Sequence, residues 1–410
     1  MHEVHDFGLI VLLVSTGFAL AVVSSRLSER LRVPGPAIFL IAAALLADAF
    51  PSLADALSIR TVERIGVVAL AVILFDGGTR IGLRRFRTAA VPILSLGIVG
   101  TFATAGLTTL AAHWLLGFSW ITSGLIGAAI APTDPAVMFS VLGRREVSGR
   151  TGTILEAESG ANDPVGIALM IGMIEFATSD NGTTWTIVRE FVLEMSIGLL
   201  LGVVGAYGLL LALRLLPLPA EGLYPLLNLA AAGVIYGLAS TLHGSGFLAV
   251  FVAGILVGDE RTPYKEEVES FFTSLASLAE IVMFVALGLT IDFTDLPASA
   301  WSDGVVLAVV VALVARPLVV WTLLLPTRLR VGERLFVAWG GLKGAVPIFL
   351  AALAILAGVD DADRIYGIVF VVVALSVVIQ GSTIPLAASL AGVPMRLIRR
   401  QPLERPSQYE

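Results

Sequence analysis

The sequence contains no cysteine and very little charge. None of its 410 residues is cysteine, and only 14% are charged, whereas an average soluble domain carries about a quarter. The missing cysteines exclude a small fold held together by disulfides. The pI of about 5.4 and the lack of a basic stripe disfavour a nucleic-acid-binding protein. With 57% hydrophobic residues, the chain has too little polar surface for a water-soluble body.

What the sequence does contain is a succession of long apolar runs, with a mean hydropathy of +0.92. A membrane-crossing helix needs about 20 mostly apolar residues. We therefore predict an all-α polytopic membrane protein with about thirteen transmembrane helices. Their approximate bounds are 7–26, 34–50, 62–78, 89–112, 119–142, 152–177, 189–213, 223–242, 245–258, 270–291, 304–326, 335–357 and 364–391. Whether the short runs 34–50 and 245–258 cross completely is left open.

The basic residues predict the orientation of the chain, because Lys and Arg concentrate in cytoplasmic loops. With the N-terminus outside, the runs place 20 of the 26 basic residues in inside loops and 4 in outside loops. The remaining two, Arg316 and Lys343, fall within runs. We therefore expect an outside N-terminus, a cytoplasmic C-terminus and a short cytoplasmic tail over 396–410.

Carboxylates cluster inside one apolar run. Ionisable side chains at membrane depth cost at least about 2.5–3.5 kcal/mol, so each one is a functional hypothesis. The run 152–177 holds Glu156, Glu158 and Asp163 within eight residues. Such a density requires a cation, a proton or an arginine. A helical spacing of three and four residues puts the side chains of the following residues on one stripe: Glu158, Ser159, Asn162 and Asp163.

Two other runs are interrupted by helix breakers. Prolines flank Thr133 and Asp134 within 119–142, and glycines and a proline surround Lys343 within 335–357. Broken backbone at membrane depth is tolerated where it lines a cavity or is buried in protein. We expect its free carbonyls, beside a carboxylate, to serve as cation ligands.

The two broken runs occupy corresponding positions in the chain. Each is the fifth of six runs if 1–188 and 223–395 are two inverted six-helix repeats with discontinuous crossing helices. The segment 189–222 is then the linker helix between them. Interrupted helices in matching positions are the best sequence indication of a transporter site.

At these residues the chain resembles the cation:proton antiporter-1 family, in particular bacterial exchangers of the electroneutral Asn-Asp type. The resemblance rests mainly on Ala131–Pro135, Glu158–Pro164 and Gly340–Pro347. It implies a homodimer in the bacterial cytoplasmic membrane that serves pH homeostasis. It also implies exchange of Na⁺, K⁺ or Li⁺ for H⁺ by alternating access, without a cofactor or enzymatic activity. The choice among these cations stays open.

The resemblance also implies roles for individual residues. Asp163 would bind either the cation or a proton, and Asn162 would mark the electroneutral branch. Thr133 would offer a carbonyl and Ser159 a hydroxyl to the monovalent cation, so that the cation ligands are Asp163, Ser159 and Thr133. Asp134 would act nearby, and Glu158 is the sixth member of this cation- and proton-binding group.

A second group is expected to pair charges or to support the structure. Arg316 would hold Glu158 ionised, and Asp76, Glu280 and Lys343 belong to the same group. Relatives usually have arginine at position 343, and lysine lacks the planar donor fork of arginine. Two interpretations stay open: a tolerated replacement that pairs with an acid such as Asp76 or Glu280, or an altered pH response.

The charge count favours exchange. Asp134, Glu158 and Asp163 against Arg316 leave a local charge of about −2 before any ligand binds. Cation and proton would compete for Asp163, so a 1:1 swap would move no net charge, and Asp163→Asn should abolish it. The alternative is a cation channel that uses the same carboxylates, which would need a continuous selectivity filter. An intramembrane enzyme with paired aspartates is a third possibility.

Overall fold

The computed structural model describes residues 19, 22–23, 33–50, 57–142, 145–147, 149–179, 184–294 and 296–397. Within these ranges the chain is almost entirely helical. The helices are α1 (Gly35–Ala49), α2 (Ile59–Thr88), α3 (Ala90–Leu116), α4 (Trp120–Ile130), α5 (Pro135–Leu142), α6 (Arg150–Thr178), α7 (Thr184–Leu215), α8 (Leu223–Thr241), α9 (Gly246–Gly258), α10 (Lys265–Gly288), α11 (Ala298–Leu324), α12 (Val331–Trp339), α13 (Ala345–Leu356) and α14 (Ala362–Ala391). The predicted run 7–26 and the tail beyond residue 397 lie outside the described residues.

The predicted apolar runs from residue 34 onward all coincide with helices of the described chain. Seven of these helices are long and apolar enough to cross a membrane, namely α2, α3, α7, α8, α10, α11 and α14. The helix α6 is of similar length, carries the carboxylate cluster, and continues through Pro164 without a break. Three of the long helices contain a short π-helical stretch, at Ser95–Gly100, Val311–Ala315 and Ser376–Gly381.

Two of the runs are broken where the sequence predicted it. The helix α4 ends at Ile130 and α5 begins at Pro135, while α12 ends at Trp339 and α13 begins at Ala345. Between these half-helices lie two unwound segments, 131–134 and 340–344. Proline and glycine explain both interruptions, since they remove a helix donor or leave the backbone unrestrained.

The helix α2 extends ten residues beyond the predicted run 62–78, to Thr88. The arginines after residue 78 allow this, because arginine is a good helix former and basic residues favour the last turn of a helix. Gly82 interrupts the helix with a φ of +64°, a conformation that favours glycine. The Asp259 carboxylate accepts a hydrogen bond of 2.5 Å from the backbone nitrogen of Arg84 beside this break.

Glycines allow three helices to pack closely. Gly254 and Gly258 on α9 lie against α2, where a Cβ at Gly254 would come within 2.5 Å of the Phe75 carbonyl oxygen. Gly198 and Gly202 on α7 lie against α9 in the same way. Both small-residue pairs thus serve contacts within the chain, and they bring α2 and α9 beside α6.

A short antiparallel β-pair joins distant parts of the chain. The strands are β1 (Arg145–Val147) and β2 (Met395–Leu397), with Val147 opposite Met395. The all-α prediction missed them because three residues are too few for the alternating pattern of a strand to be read. The pair connects the end of α14 to the turn between α5 and α6.

Candidate functional site

The two unwound segments touch each other. The backbone nitrogen of Asp134 donates a hydrogen bond of 2.8 Å to the carbonyl oxygen of Leu342. Gly344 lies so close to Asp134 that a Cβ at position 344 would overlap the carboxyl group. Residues about 210 positions apart therefore form one site, and it is built from the non-helical backbone between the half-helices.

Lys343 ties the two segments together. Its Nζ donates to the carbonyl oxygens of Ala131 at 3.0 Å and Pro132 at 3.1 Å, and the side chain is almost fully buried. These carbonyls, which were expected to be free, are therefore occupied. The expected pairing of Lys343 with Asp76 or Glu280 is not what the structure shows. The ammonium instead neutralises the partial negative charge at the carboxyl end of α4.

Thr133 is held by two side chains of α6. The Ser159 hydroxyl donates to the Thr133 carbonyl oxygen at 2.5 Å, and Asn162 Nδ2 donates to Thr133 Oγ1 at 2.8 Å. The backbone nitrogen of Thr133 donates in turn to Asn162 Oδ1 at 3.4 Å. Ser159 and Asn162 are three positions apart and so share a helix face. That face positions the unwound segment 131–134.

Glu158 points to a different neighbour. Its carboxylate accepts two hydrogen bonds from Arg316 on α11, at 2.5 Å from Nη1 and 2.9 Å from Nη2. Both side chains are almost fully buried, at 1% and 4% exposure. This planar fork is the strong geometry of an arginine–carboxylate pair, and it engages both carboxylate oxygens of Glu158 with Arg316.

Asp163 faces a cavity of about 370 Å³. The residue is 6% exposed, and its Oδ1 is buried without a hydrogen-bond partner among the described residues. Its charged neighbours include Asp134 and Lys343. The charged side chains that line the cavity are Asp76, Arg80, Asp134, Glu156, Asp163 and Glu280.

Two charged residues of α2, Asp76 and Arg80, line the cavity. Asp76 is buried and pairs with Arg80 one turn later, with Arg80 Nη2 2.7 Å from Asp76 Oδ2. The Arg80 side chain is 46% exposed, so the cavity extends from Asp163 towards the surface at Arg80. Arg80 lies beyond the predicted run 62–78, so it was not among the predicted site residues.

Two further polar residues support the site and were not predicted. The Ser376 hydroxyl accepts a hydrogen bond of 2.9 Å from the backbone nitrogen of Lys343 and donates one of 2.8 Å to Gln380. Both lie in the π-helical stretch of α14. The available signal was a buried Ser and Gln within an otherwise apolar run.

The chain that carries these motifs is similar to known proteins. The family profile described as "Sodium/hydrogen exchanger, transmembrane" matches residues 17–389. The K(+)/H(+) antiporter NhaP2 of Shewanella sp. (strain ANA-3) is 35% identical over 380 residues, which cover 92% of this chain and 66% of that protein. The chain thus spans just under two thirds of the length of that relative.

Two other similarities extend over nearly the full length of both partners. The Na(+)/H(+) antiporter NhaH of Halobacillus dabanensis is 26% identical over 412 residues, covering 94% of this chain and 98% of that protein. The solved structure of the sodium proton antiporter MjNhaP1 from Methanocaldococcus jannaschii has a TM-score of 0.78 at 23% identity. That match covers 92% of this chain and 100% of that chain, and it shows the same fold.

Proposed function

Because the chain belongs to the sodium/hydrogen exchanger family, we propose that it is a secondary antiporter that exchanges a monovalent cation for protons. We place this antiporter in the cytoplasmic membrane of a bacterial cell. NhaP2 is named for potassium and NhaH for sodium, so both cations are candidate substrates. Li⁺ is a third candidate, since the oxygen ligands of this site suit all three ions.

The observation that carries the proposal is the buried oxygen of Asp163. A carboxylate that is buried without a donor is costly unless a proton or a cation neutralises it. Asp163 Oδ1 is in this situation, and Asp163 lines a cavity of about 370 Å³. Since the carboxylate cannot hold a cation and a proton together, the two compete, and alternate loading yields exchange.

The neighbouring oxygens of Thr133 and Ser159 are suited to complete the cation site. The Thr133 carbonyl accepts only the Ser159 hydroxyl among the described hydrogen bonds. A carbonyl and a hydroxyl oxygen each have two lone pairs, so both can face an ion bound to Asp163. Asp134, which follows Thr133 in the same unwound segment, then acts through water.

The charge balance supports a 1:1 swap. Around the two unwound segments, Asp134, Glu158 and Asp163 stand against Arg316 and Lys343, so this group of five carries a net charge of about −1 before loading. A single proton or monovalent cation neutralises it. Asn162 adds no charge. Each loaded crossing is then neutral, and exchange is independent of membrane voltage.

The crossed half-helices support alternating access. We assign 1–188 and 223–395 as the two inverted repeats, joined by 189–222, with the crossing between 131–134 and 340–344 at their interface. The cavity extends to Arg80, in a basic cluster that the charge distribution assigns to the cytoplasmic side. This conformation is therefore inward-facing in our proposal, and a homodimer is the expected assembly.

Proton flux in proteoliposomes tests the proposal directly. Addition of Na⁺, K⁺ or Li⁺ to one side should draw protons from the opposite compartment to that side, and Asp163→Asn should abolish this movement. Asp360→Asn, which removes an exposed carboxylate, serves as the matched control and should leave it intact. Full exchange by Asp163→Asn would overturn the assignment. Currents far above carrier turnover would indicate a channel instead.

A further inference from the structure

The cavity that holds Asp163 contains a second carboxylate with an unsatisfied oxygen. Glu280 on α10 lines the cavity, and its Oε1 is buried without a hydrogen-bond partner among the described residues. Arg80 is near enough for its charge to act on Glu280, but the Arg80 guanidinium donates its hydrogen bond to Asp76, at 2.7 Å. No donor of the described chain therefore compensates that oxygen of Glu280.

Two close contacts that α10 makes with neighbouring helices involve other residues than Glu280. The contact of α10 with α2 is aromatic, with the ring centroids of Phe75 and Phe272 4.9 Å apart. At the other end of α10, Gly288 lies against the backbone of α1, where a Cβ would come within 2.5 Å of the Leu40 carbonyl oxygen. A carboxylate on the cavity wall between these contacts is costly unless it takes up a proton or a cation.

We propose that Glu280 is a proton-binding group, separate from Asp163, that sets the cation affinity of the cavity according to pH. The proposal rests on the antiporter function proposed above. When Glu280 is ionised, its negative charge adds to the attraction of the cavity for an entering cation. When Glu280 carries a proton, that attraction falls, so acid conditions weaken cation loading at Asp163.

The other charged groups around Glu280 are those that line the same cavity. The charged and titratable groups that face it are Asp76 and Arg80 on α2, Asp134 in the unwound segment, and Glu156 and Asp163 on α6. The elements α1, α8 and α13, which also pack against α10, contribute no ionisable side chain to the described lining. Asp76 is already balanced by Arg80, and Asp163 is the exchange group. Glu280 is therefore the carboxylate of the α10 wall whose protonation changes the potential of the cavity.

The variant Glu280→Gln mimics permanent protonation. In proteoliposomes, the cation concentration for half-maximal exchange at alkaline pH should rise about fivefold or more, since one unit charge within the cavity is removed. This concentration should also vary less steeply with pH than in the unsubstituted protein, because only the competition between cation and proton at Asp163 then remains. Glu280→Asp keeps the charge, so the half-maximal cation concentration and its dependence on pH should both match those of the unsubstituted protein. Glu266→Gln removes an exposed carboxylate from the same helix and should change neither.

A second readout does not depend on transport. Infrared difference spectra recorded across a pH titration should contain a carboxyl band that disappears in Glu280→Gln and stays in Asp163→Asn. If the protein exchanges no cation, this band still tests proton binding at Glu280 separately from the antiporter function. The proposal is overturned if the carboxyl band is the same in Glu280→Gln as in the unsubstituted protein. It is also overturned if the cation concentration for half-maximal exchange depends on pH equally in both proteins.

Discussion

Arg316 binds both carboxylate oxygens of Glu158 across the contact between α11 and α6, at 2.5 and 2.9 Å. Because both groups are buried, removal of either one leaves the other charge uncompensated. We expect Arg316→Met or Glu158→Gln alone to lower the free energy of unfolding by about 3–5 kcal/mol. The double variant should recover part of this loss, since no charge is then stranded. Thermal unfolding of the purified protein in detergent measures both effects.

The pair of Arg364 and Asp303 is the matched control. Its Nη2–Oδ2 distance is 2.8 Å, similar to the buried pair, but the Arg364 side chain is 41% exposed. Exposed ion pairs contribute about 0–1 kcal/mol, so Arg364→Met should shift the melting temperature little. An equal shift for Arg364→Met and Arg316→Met would contradict the importance of burial.

The hydroxyl of Ser159 is predicted to bind the transported cation. Ser159→Ala removes this ligand and the hydrogen bond to the Thr133 carbonyl oxygen. The cation concentration for half-maximal exchange should rise about fivefold, the equivalent of one hydrogen bond or ligand. Ser140→Ala removes another serine from the cavity wall, whose hydroxyl bonds its own helix at Val137, and should change this concentration little. Equal effects of the two variants would exclude Ser159 as a ligand.

The close approach of Gly344 to Asp134 is predicted to be essential. A methyl group at position 344 would overlap the Asp134 carboxyl group and separate the crossed segments. We expect Gly344→Ala to reduce the exchange rate more than about tenfold, since small displacements of binding groups are costly. Gly77→Ala is the control, because a Cβ at Gly77 meets nothing within 4 Å. Normal exchange by Gly344→Ala would show that the segments separate freely.

Exchange is predicted to be independent of voltage. One unit of net charge per cycle would change the driving force by about 2.3 kcal/mol per 100 mV, whereas a 1:1 swap moves none. Sodium-driven proton movement should therefore proceed at the same rate with and without an imposed membrane potential. A rate that follows the potential would contradict the 1:1 stoichiometry and the neutral role assigned to Asn162.

The sequence predicted the parts of the site that depend on residue type alone. Asp163 and the break at Thr133 stand out because carboxylates and prolines are rare in apolar runs, and this signal needs no tertiary information. The residues that contact them in the folded protein were harder to predict from the sequence. Lys343 binds the carbonyl oxygen of Ala131, which is 212 positions away, and which helix faces which is not encoded locally. Arg80 was missed for a related reason, because its helix continues past the apolar run that predicted it.

Lys343 provides the last prediction. It is one of only two lysines in the chain, and its ammonium occupies the carbonyl oxygens of Ala131 and Pro132. Lys343→Met leaves both carbonyls without this donor at membrane depth, at a cost of about 1–3 kcal/mol each. We expect a lower melting temperature and loss of exchange. Lys265→Met is the control, because the other lysine also binds backbone carbonyls but is partly exposed.

Lys343→Arg separates the two interpretations of this position. Arginine keeps the positive charge and offers more donors to the same carbonyls, so we expect stability and exchange to be retained. If the pH at half-maximal exchange also stays the same, lysine is a tolerated replacement that serves as a tether between the broken helices. A shift of about one pH unit would correspond to about 1.4 kcal/mol. It would show instead that lysine at this position changes the pH response of the site, because its ammonium then titrates within the transport cycle while a guanidinium does not.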